Sequence, residues 1–348
     1  MLNKEHIDEM ITVLTKELIN RRGDGIWRGR LSSSAISTSV SVFALSLADK
    51  DLYAGHINGG IKWLLSTMRS DGSWGDSIES QPNMTATLLS YAALFSQNAA
   101  PEETISFLKT KFGGINDDKI VDGVLAYYGK DLTFSAPILV MCALAGVIKK
   151  WDKIPQLPFE LSVVPQCFFK FLQLPVVSYA IPALIAVGIL RHRKGNVSFQ
   201  SDGSQSDIKV REMPRKRKTG KGLLYSIRES FVEKSLRVLT KLQPSNGGFL
   251  EAAPLTAFVT MCMCGAGFRE HTVTQKAVRF LTDNVRDDGA WPIDTDLACW
   301  VTALSVKALN DDVPDRALLL EAVKKNAFTY KHPFTGAKEG GWGWNDLP

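Results

Sequence analysis

The chain has 348 residues, 45% apolar and 22% charged, with a formal net charge of +5. These are the proportions of a globular protein long enough to bury a sizeable core, as one large helical domain or two smaller ones. Cys142, Cys167, Cys262, Cys264 and Cys299 lie scattered in apolar runs, which excludes a disulfide frame and fits a reducing compartment, and the charged start "MLNKEHIDEM" lacks the apolar segment of a secretory signal.

From the N-terminus the first unit is "ITVLTKELINRRGDGIWRGRLSSSAISTSVSVFALSLA". It predicts an apolar-periodic helix, a Gly-x-Trp turn and a second helix rich in small residues. The same order returns at Ile61 to Phe95, at "SLRVLTKLQPSNGGFLEAAPLTAFVTMCMCGAG", at "AVRFLTDNVRDDGAWPIDTDLACWVTALSVKAL", and from Ala322 to "GGWGW". The turn aromatics are Trp27, Trp74, Phe249, Trp291 and Trp342, with adjacent spacings of 47, 42 and 51 residues. A period of this length with two helices per unit predicts an all-α fold of stacked helical hairpins, either open or closed into a ring. The turn glycine permits the left-handed backbone that ends the first helix, and the aromatic two residues later folds back to lock the hairpin. Ser34, Asp76 and Asp294 are the expected N-caps of the second helices.

The middle of the chain departs from this pattern. Leu161 to Leu190 contains one charge, Lys170, and the 20 residues from Phe171 to Leu190 contain none. A buried core helix, an apolar plateau in one leaflet and a bilayer span all fit that length, though Pro175 and Pro182 are awkward for a span. The next stretch, Arg191 to Lys221, holds ten Lys and Arg against three Asp and Glu, an excess of +7 that leaves −2 for the rest. It reads as a solvated linker or a contact to anionic lipid. Its core, "KVREMPRKRKTGKG", has no base-stacking aromatic among the charges, so nucleic acid is not an expected partner. The division expected from composition is therefore 1–190, then a basic loop at 191–221, then further repeats at 222–348.

The Gly-x-Trp turns at this spacing, with "RLSSSAISTSVSVFAL", "DGSWGDS", "YGKDLTFSAPIL", "LPVVSYAIPALIAVG" and "GAWPIDTDLACWVTALSVKAL", resemble the repeats of squalene-hopene cyclases and their class II terpene cyclase relatives. The resemblance covers the chain from about Ile11 to Pro348 except the basic loop. It departs from the pattern where the repeat glutamine survives only at Gln243, in the unit in which Phe249 replaces Trp. It implies an α/α toroid of double-ring helical barrels, here one barrel and the opening of a second. It also implies an isomerase or lyase of terpenoid and hopanoid biosynthesis, in which a carboxylic acid protonates a polyene. The implied partners are a squalene-like polyprenyl substrate and the cytoplasmic face of a bacterial membrane, with a homodimer admitted; no cofactor and no metal are implied. In the family a turn like "GGWGW" is followed by an Asp-x-Asp-Asp acid motif, so the general acid is expected downstream of Pro348.

Within the chain, Asp294 and Asp296 superficially resemble that motif, but Leu297 stands where its last acidic residue belongs and the position is one repeat too early. Trp342 and Trp344 are the candidate cavity residues, with Trp344 matching the family's cation-stabilising aromatic. Trp27, Trp74, Phe249 and Trp291 are expected to be structural. Two other readings stay open. A non-catalytic helical scaffold would use the same repeats. A zinc prenyltransferase would need Asp, Cys and His to converge, and Asp296, Cys299 and His332 do not have that spacing.

Overall fold

In the computed structural model the described residues are 3–164, 181–194, 221–331, 338–343 and 345, with side chains of 221–224 left aside. They form thirteen α-helices and, among the described residues, no strand beyond two isolated bridges. The chain divides into two compact units, one of Ser32–Ile293 and one combining Met1–Leu31 with Asp294–Pro348.

The Ser32–Ile293 unit carries α2 (Ala35–Asp49), α3 (Ala54–Thr67), α4 (Met84–Ser96), α5 (Glu102–Phe112), α6 (Asp117–Tyr128), α7 (Leu132–Leu144), α8 (Ile181–Lys194), α9 (Lys221–Leu242), α10 (Ala253–Gly265) and α11 (Thr272–Asp283). Its packing follows a circuit: α2 lies against α4, α4 against α7, α7 against α8, α8 against α10, and α10 back against α2. The composition of these five explains why they meet. Ala, Ser, Thr and Cys at Ala44, Ser41, Ala92, Ser90, Cys142, Ala186 and Cys262 are buried and let helix axes approach closely. The remaining five helices are more amphipathic, and α3 and α11 both pack on α2.

The other unit carries α1 (Lys4–Asn20), α12 (Ala298–Leu309) and α13 (Arg316–Lys325). Its core joins Ile26 and Trp27 to Ala298, Leu309, Val313 and Leu319, with Leu18 and Ile19 packed alongside. The Arg22 guanidinium ties its two chain segments. It donates to Gly25 O at 3.0 Å, to Asp315 O at 3.2 Å and to Pro314 O, and lies over the Trp27 ring.

One turn geometry recurs in both units. The residue two before each aromatic is a glycine of positive φ: Gly25, Gly72, Gly247, Gly289 and Gly340. Gly72 shows the reason most sharply. At φ +81 a side chain there would be strained, and a Cβ would stand 2.3 Å from the backbone carbon of Glu103. Asp71, Asn246 and Asp288 precede their glycines because each accepts, through Oδ1, from the N–H of the residue after the glycine, at 3.1 Å in each case. The indole N–H then reaches back to a carbonyl of the preceding helix: Trp27 to Leu18 at 2.7 Å, Trp74 to Leu64 at 2.9 Å, Trp291 to Leu281 at 2.7 Å and Trp342 to Val323 at 2.7 Å. This satisfies an acceptor near a helix end while the ring fills the hairpin. The backbone N–H of the aromatic donates to a threonine hydroxyl on another helix. The pairs are Trp74–Thr87 at 3.1 Å, Phe249–Thr256 at 2.9 Å, Trp291–Thr38 at 3.1 Å and Trp27–Thr302 at 3.0 Å.

The helix starts differ in part from expectation. Ser34 caps α2, its Oγ accepting from Ser37 N–H at 3.4 Å. For α4 the cap is Asn83, not Asp76: Asn83 Oδ1 accepts from Ala86 N–H at 2.7 Å, and Asp76 instead holds the Asn83 amide at 2.7 Å. For α12 it is Asp296, not Asp294, that accepts from the first helical N–H, at Ala298, 2.8 Å away. The extended stretch before each helix runs longer than a minimal turn, so the nearest acceptor to the helix is the later residue.

Candidate functional site

The acidic pair Asp294 and Asp296 sits in the extended segment that leads into α12. Two backbone bonds hold this segment beside the residues before α2: Leu31 N–H to Asp294 O at 3.1 Å and Leu297 N–H to Gly29 O at 2.9 Å. Both side chains are half-buried. Asp296 Oδ1 is an acceptor for Ala298 N–H, so this oxygen does not present a proton outward.

Cys299, one residue further, donates its thiol to Asn345 O at 3.0 Å. That bond brings the chain beyond Trp342 against the start of α12. Trp342 itself is 50% exposed, with its indole N–H on Val323 O. Trp344 and His332 lie outside the described residues, as does Cys167. Among the described residues no group of three or more His, Cys, Asp and Glu is placed to hold a metal. None of the four described cysteines is in a disulfide; burial pushes Cys142 and Cys264 up to about 12 and Cys262 higher still. Cys142, Cys262 and Cys264 behave as small core residues, not nucleophiles.

A polar cluster not foreseen from sequence links α8 to α9. His192 is buried; its Nε2 lies 3.0 Å from Glu229 Oε2 and its ring stacks on Tyr225 at 4.4 Å. The second carboxylate oxygen, Glu229 Oε1, accepts from Arg193 at 2.9 Å. Arg193 also donates to Ala266 O at 2.7 Å and lies over the Phe268 ring. Arg228 pairs with Glu160 and donates to Gln156 at 2.9 Å, and Arg191 donates to Ile154 O at 2.9 Å. Burial lowers the His192 pKa against the opposing pull of Glu229. The sequence signal was present in "RHRK", where four basic residues close α8 and complement its dipole, but their carboxylate partner lies 36 residues from Arg193. An open surface cleft at the start of α5 is lined by Asp71, Glu102, Glu103, Phe107 and Lys111, and it contains none of the candidate residues.

Part of the apolar run, Leu161–Val164 and Ile181–Leu190, is described, and within it Ile185, Val187, Ile189 and Leu190 are buried. No helix among the described residues is long and apolar enough to cross a membrane.

No family model matches the chain. A curated protein of Isodon rubescens, named "Probably inactive copalyl diphosphate synthase 3", is 30% identical over 132 residues, covering 36% of this chain and 16% of that protein. The chain therefore spans about a sixth of the length of the curated relative it matches. The likeness is a distant one to a terpene cyclase, and it accords with the all-helical fold.

Proposed function

We propose that this chain is a terpene-cyclase-like repeat protein of the squalene-hopene kind, shaped to hold a long polyene, and that neither Asp294 nor Asp296 supplies the initiating proton. The observation that carries the reading is the 132-residue likeness to a terpene cyclase. The recurring glycine–aromatic turn in both units supports it, as does the closed circuit of five helices, which on this reading is the inner ring of an α/α toroid.

The chemistry sets the demand. Cyclisation begins when a carboxylic acid protonates an alkene, a very weak base. The proton must be aimed at one carbon, the conjugate base stabilised and water kept out. Aromatic faces then stabilise the carbocation. Asp296 is turned to capping a helix instead. Trp342, half-exposed beside the last described turn, is the aromatic that on this reading would face the polyene, together with Trp344. Such substrates dissolve in lipid, so the reading includes peripheral attachment to a bilayer through the run Leu161–Leu190 and the basic stretch Arg191–Lys221, apart from the buried Ile185, Val187, Ile189, Leu190, Arg191 and His192.

The test is to load the purified chain with squalene in detergent, exchange the detergent, and analyse retained material by gas chromatography. Squalene is expected to stay with the protein and to remain acyclic. Cyclic product that disappears in Asp296→Asn would make Asp296 the acid after all. Loss of squalene on exchange would leave a helical scaffold without a polyene ligand.

A further inference from the structure

The start of α9 is fastened differently from the rest of it. From Val232 onward the helix has an apolar core, with Val232, Leu236 and Leu239 buried, whereas none of residues 225–231 is buried. Those residues are held by polar bonds to the last turn of α8 and to the short 3-10 helix Phe159–Val163 with the residues before it. Tyr225 stacks on the His192 ring, and Glu229 meets both His192 and Arg193. Arg228 reaches Glu160, Gln156 and Leu157 O. Lys194 ends α8 and Lys221 begins α9, so the same seam holds the two ends of the basic stretch together.

His192 is the member of this cluster whose charge changes near neutral pH. It is 3% exposed, between the rings of Phe159 at 5.7 Å and Tyr225 at 4.4 Å. The helices α7 and α10, which also pack on α8, carry no charged residue. The charges facing His192 come from α9 as Arg228 and Glu229 and from the 3-10 helix as Glu160, with Arg191, Arg193 and Lys194 beside it on α8. While His192 is neutral, Glu229 answers Arg193, Glu160 answers Arg228 and Asp152 acts on Arg191. A proton on His192 adds a cation that Glu229 must share with Arg193, away from water and against the repulsion of Arg228. Once the helices part, water solvates that cation. We propose that the seam between α8 and the start of α9 is a pH-sensitive clasp, in which protonation of His192 frees residues 225–231 while the remainder of α9 stays packed. The sign follows from burial, which lowers the His192 pKa below 6.5 in the closed seam, so the parted form takes up the proton first as pH falls.

The experiment is hydrogen–deuterium exchange of the full 348-residue chain, read by mass spectrometry without squalene or vesicles, so the result is independent of the polyene reading. Exchange is followed from about pH 7.5 to about pH 5, with the intrinsic pH dependence of amide exchange divided out. Opening of 225–231 is expected to rise below 6.5, by up to about tenfold per pH unit for the uptake of one proton, while 232–242 keeps its protection. His192→Gln retains an amide donor for Glu229 and does not titrate, so its 225–231 segment is expected to stay flat. His271→Asn removes the other buried-side titration, at the start of α11, and is expected to respond as wild type. The contrast between the two segments of the wild-type chain decides the matter even where the glutamine variant folds poorly. A flat wild-type response, an equal rise in both segments, or a response kept in His192→Gln would overturn the proposal.

Discussion

The backbone N–H of Trp291 donates to the hydroxyl of Thr38 at 3.1 Å, although 253 residues separate the two in sequence. The counterpart bond, Trp27 N–H to Thr302 Oγ1 at 3.0 Å, spans 275 residues. In "GDGIWRGRLSSSAIST" the turn of Trp27 is followed by the helix of Thr38, and in "DDGAWPIDTDLACWVT" the turn of Trp291 is followed by the helix of Thr302. Each turn nevertheless bonds the other's helix. The pairs Trp74–Thr87 and Phe249–Thr256 stay within one repeat, so the exchange is confined to these two turns.

Thr38→Val keeps the shape of the side chain and removes the acceptor, leaving Trp291 N–H buried without a partner. A loss of about 1–3 kcal/mol is expected in urea denaturation. Thr38→Ser should restore most of it. A loss in the serine variant with none in the valine variant would mean that the methyl contact, not the hydroxyl, holds the site.

Trp74 is 2% exposed, whereas Trp342 is 50% exposed with the same indole bond to a helix carbonyl. Trp74→Ala should lower stability by about 3–5 kcal/mol through the cavity it leaves. Trp342→Ala, on a half-open ring, should cost about 1 kcal/mol or less. Melting temperatures of the two purified variants give the comparison, and similar shifts would show that the bond matters more than the burial.

Two histidines make stability fall in acid. Burial lowers both His192 and His271 below the ordinary value of 6.5, so in that window the unfolded chain binds more protons than the folded one. Their contribution is whole above 6.5 and is lost as the pH drops through the folded values. His271 adds a geometric reason: its Nδ1 accepts from Val273 N–H at 3.2 Å at the start of α11, and a proton there would abolish the cap. His271→Asn keeps an acceptor without a titration, so it should flatten the decline of stability between neutral and mildly acidic pH. An unchanged slope would assign the decline to other groups.

Attachment of Leu161–Leu190 and Arg191–Lys221 to anionic vesicles should weaken as salt rises, since the +7 segment acts through screened charge. Flotation with increasing sodium chloride measures it. Retention that resists both salt and carbonate washing would point to insertion, and absence of flotation at low salt would remove the membrane reading.

The turns were legible because their cause is local. A glycine of positive φ, an Asx residue before it and an aromatic after it sit within four positions, and the geometry follows from them alone. The helices α2, α4 and α10 were equally readable from their small apolar residues. Their threonine partners were not, because Thr38 and Thr302 look like ordinary helix residues until the exchanged pairing is known. Asp294 was expected as the cap of α12, but Leu297 holds the cap position and Asp296, just before it, accepts from the first helical N–H. Several acceptors crowd "IDTD", and the choice depends on where Leu297 is pinned by Gly29. The cluster of His192 and Glu229 depends on the packing of α8 against α9, which no spacing in the sequence encodes.

The exchanged turns also bear on how the molecule is made. A ribosome releases chain in order, roughly 5–20 residues per second. The circuit of α2 through α11 has all its members once the chain reaches Ile293. The Trp27 turn emerges among the first residues, yet its threonine is synthesised 275 residues later. Its indole must therefore wait, for on the order of ten seconds to a minute at that rate, without the partners that bury it in the finished protein. Over that interval the N-terminal segment is a client for whatever shields apolar surface on nascent chains, and it is the last piece of the fold to be fastened although the first to appear.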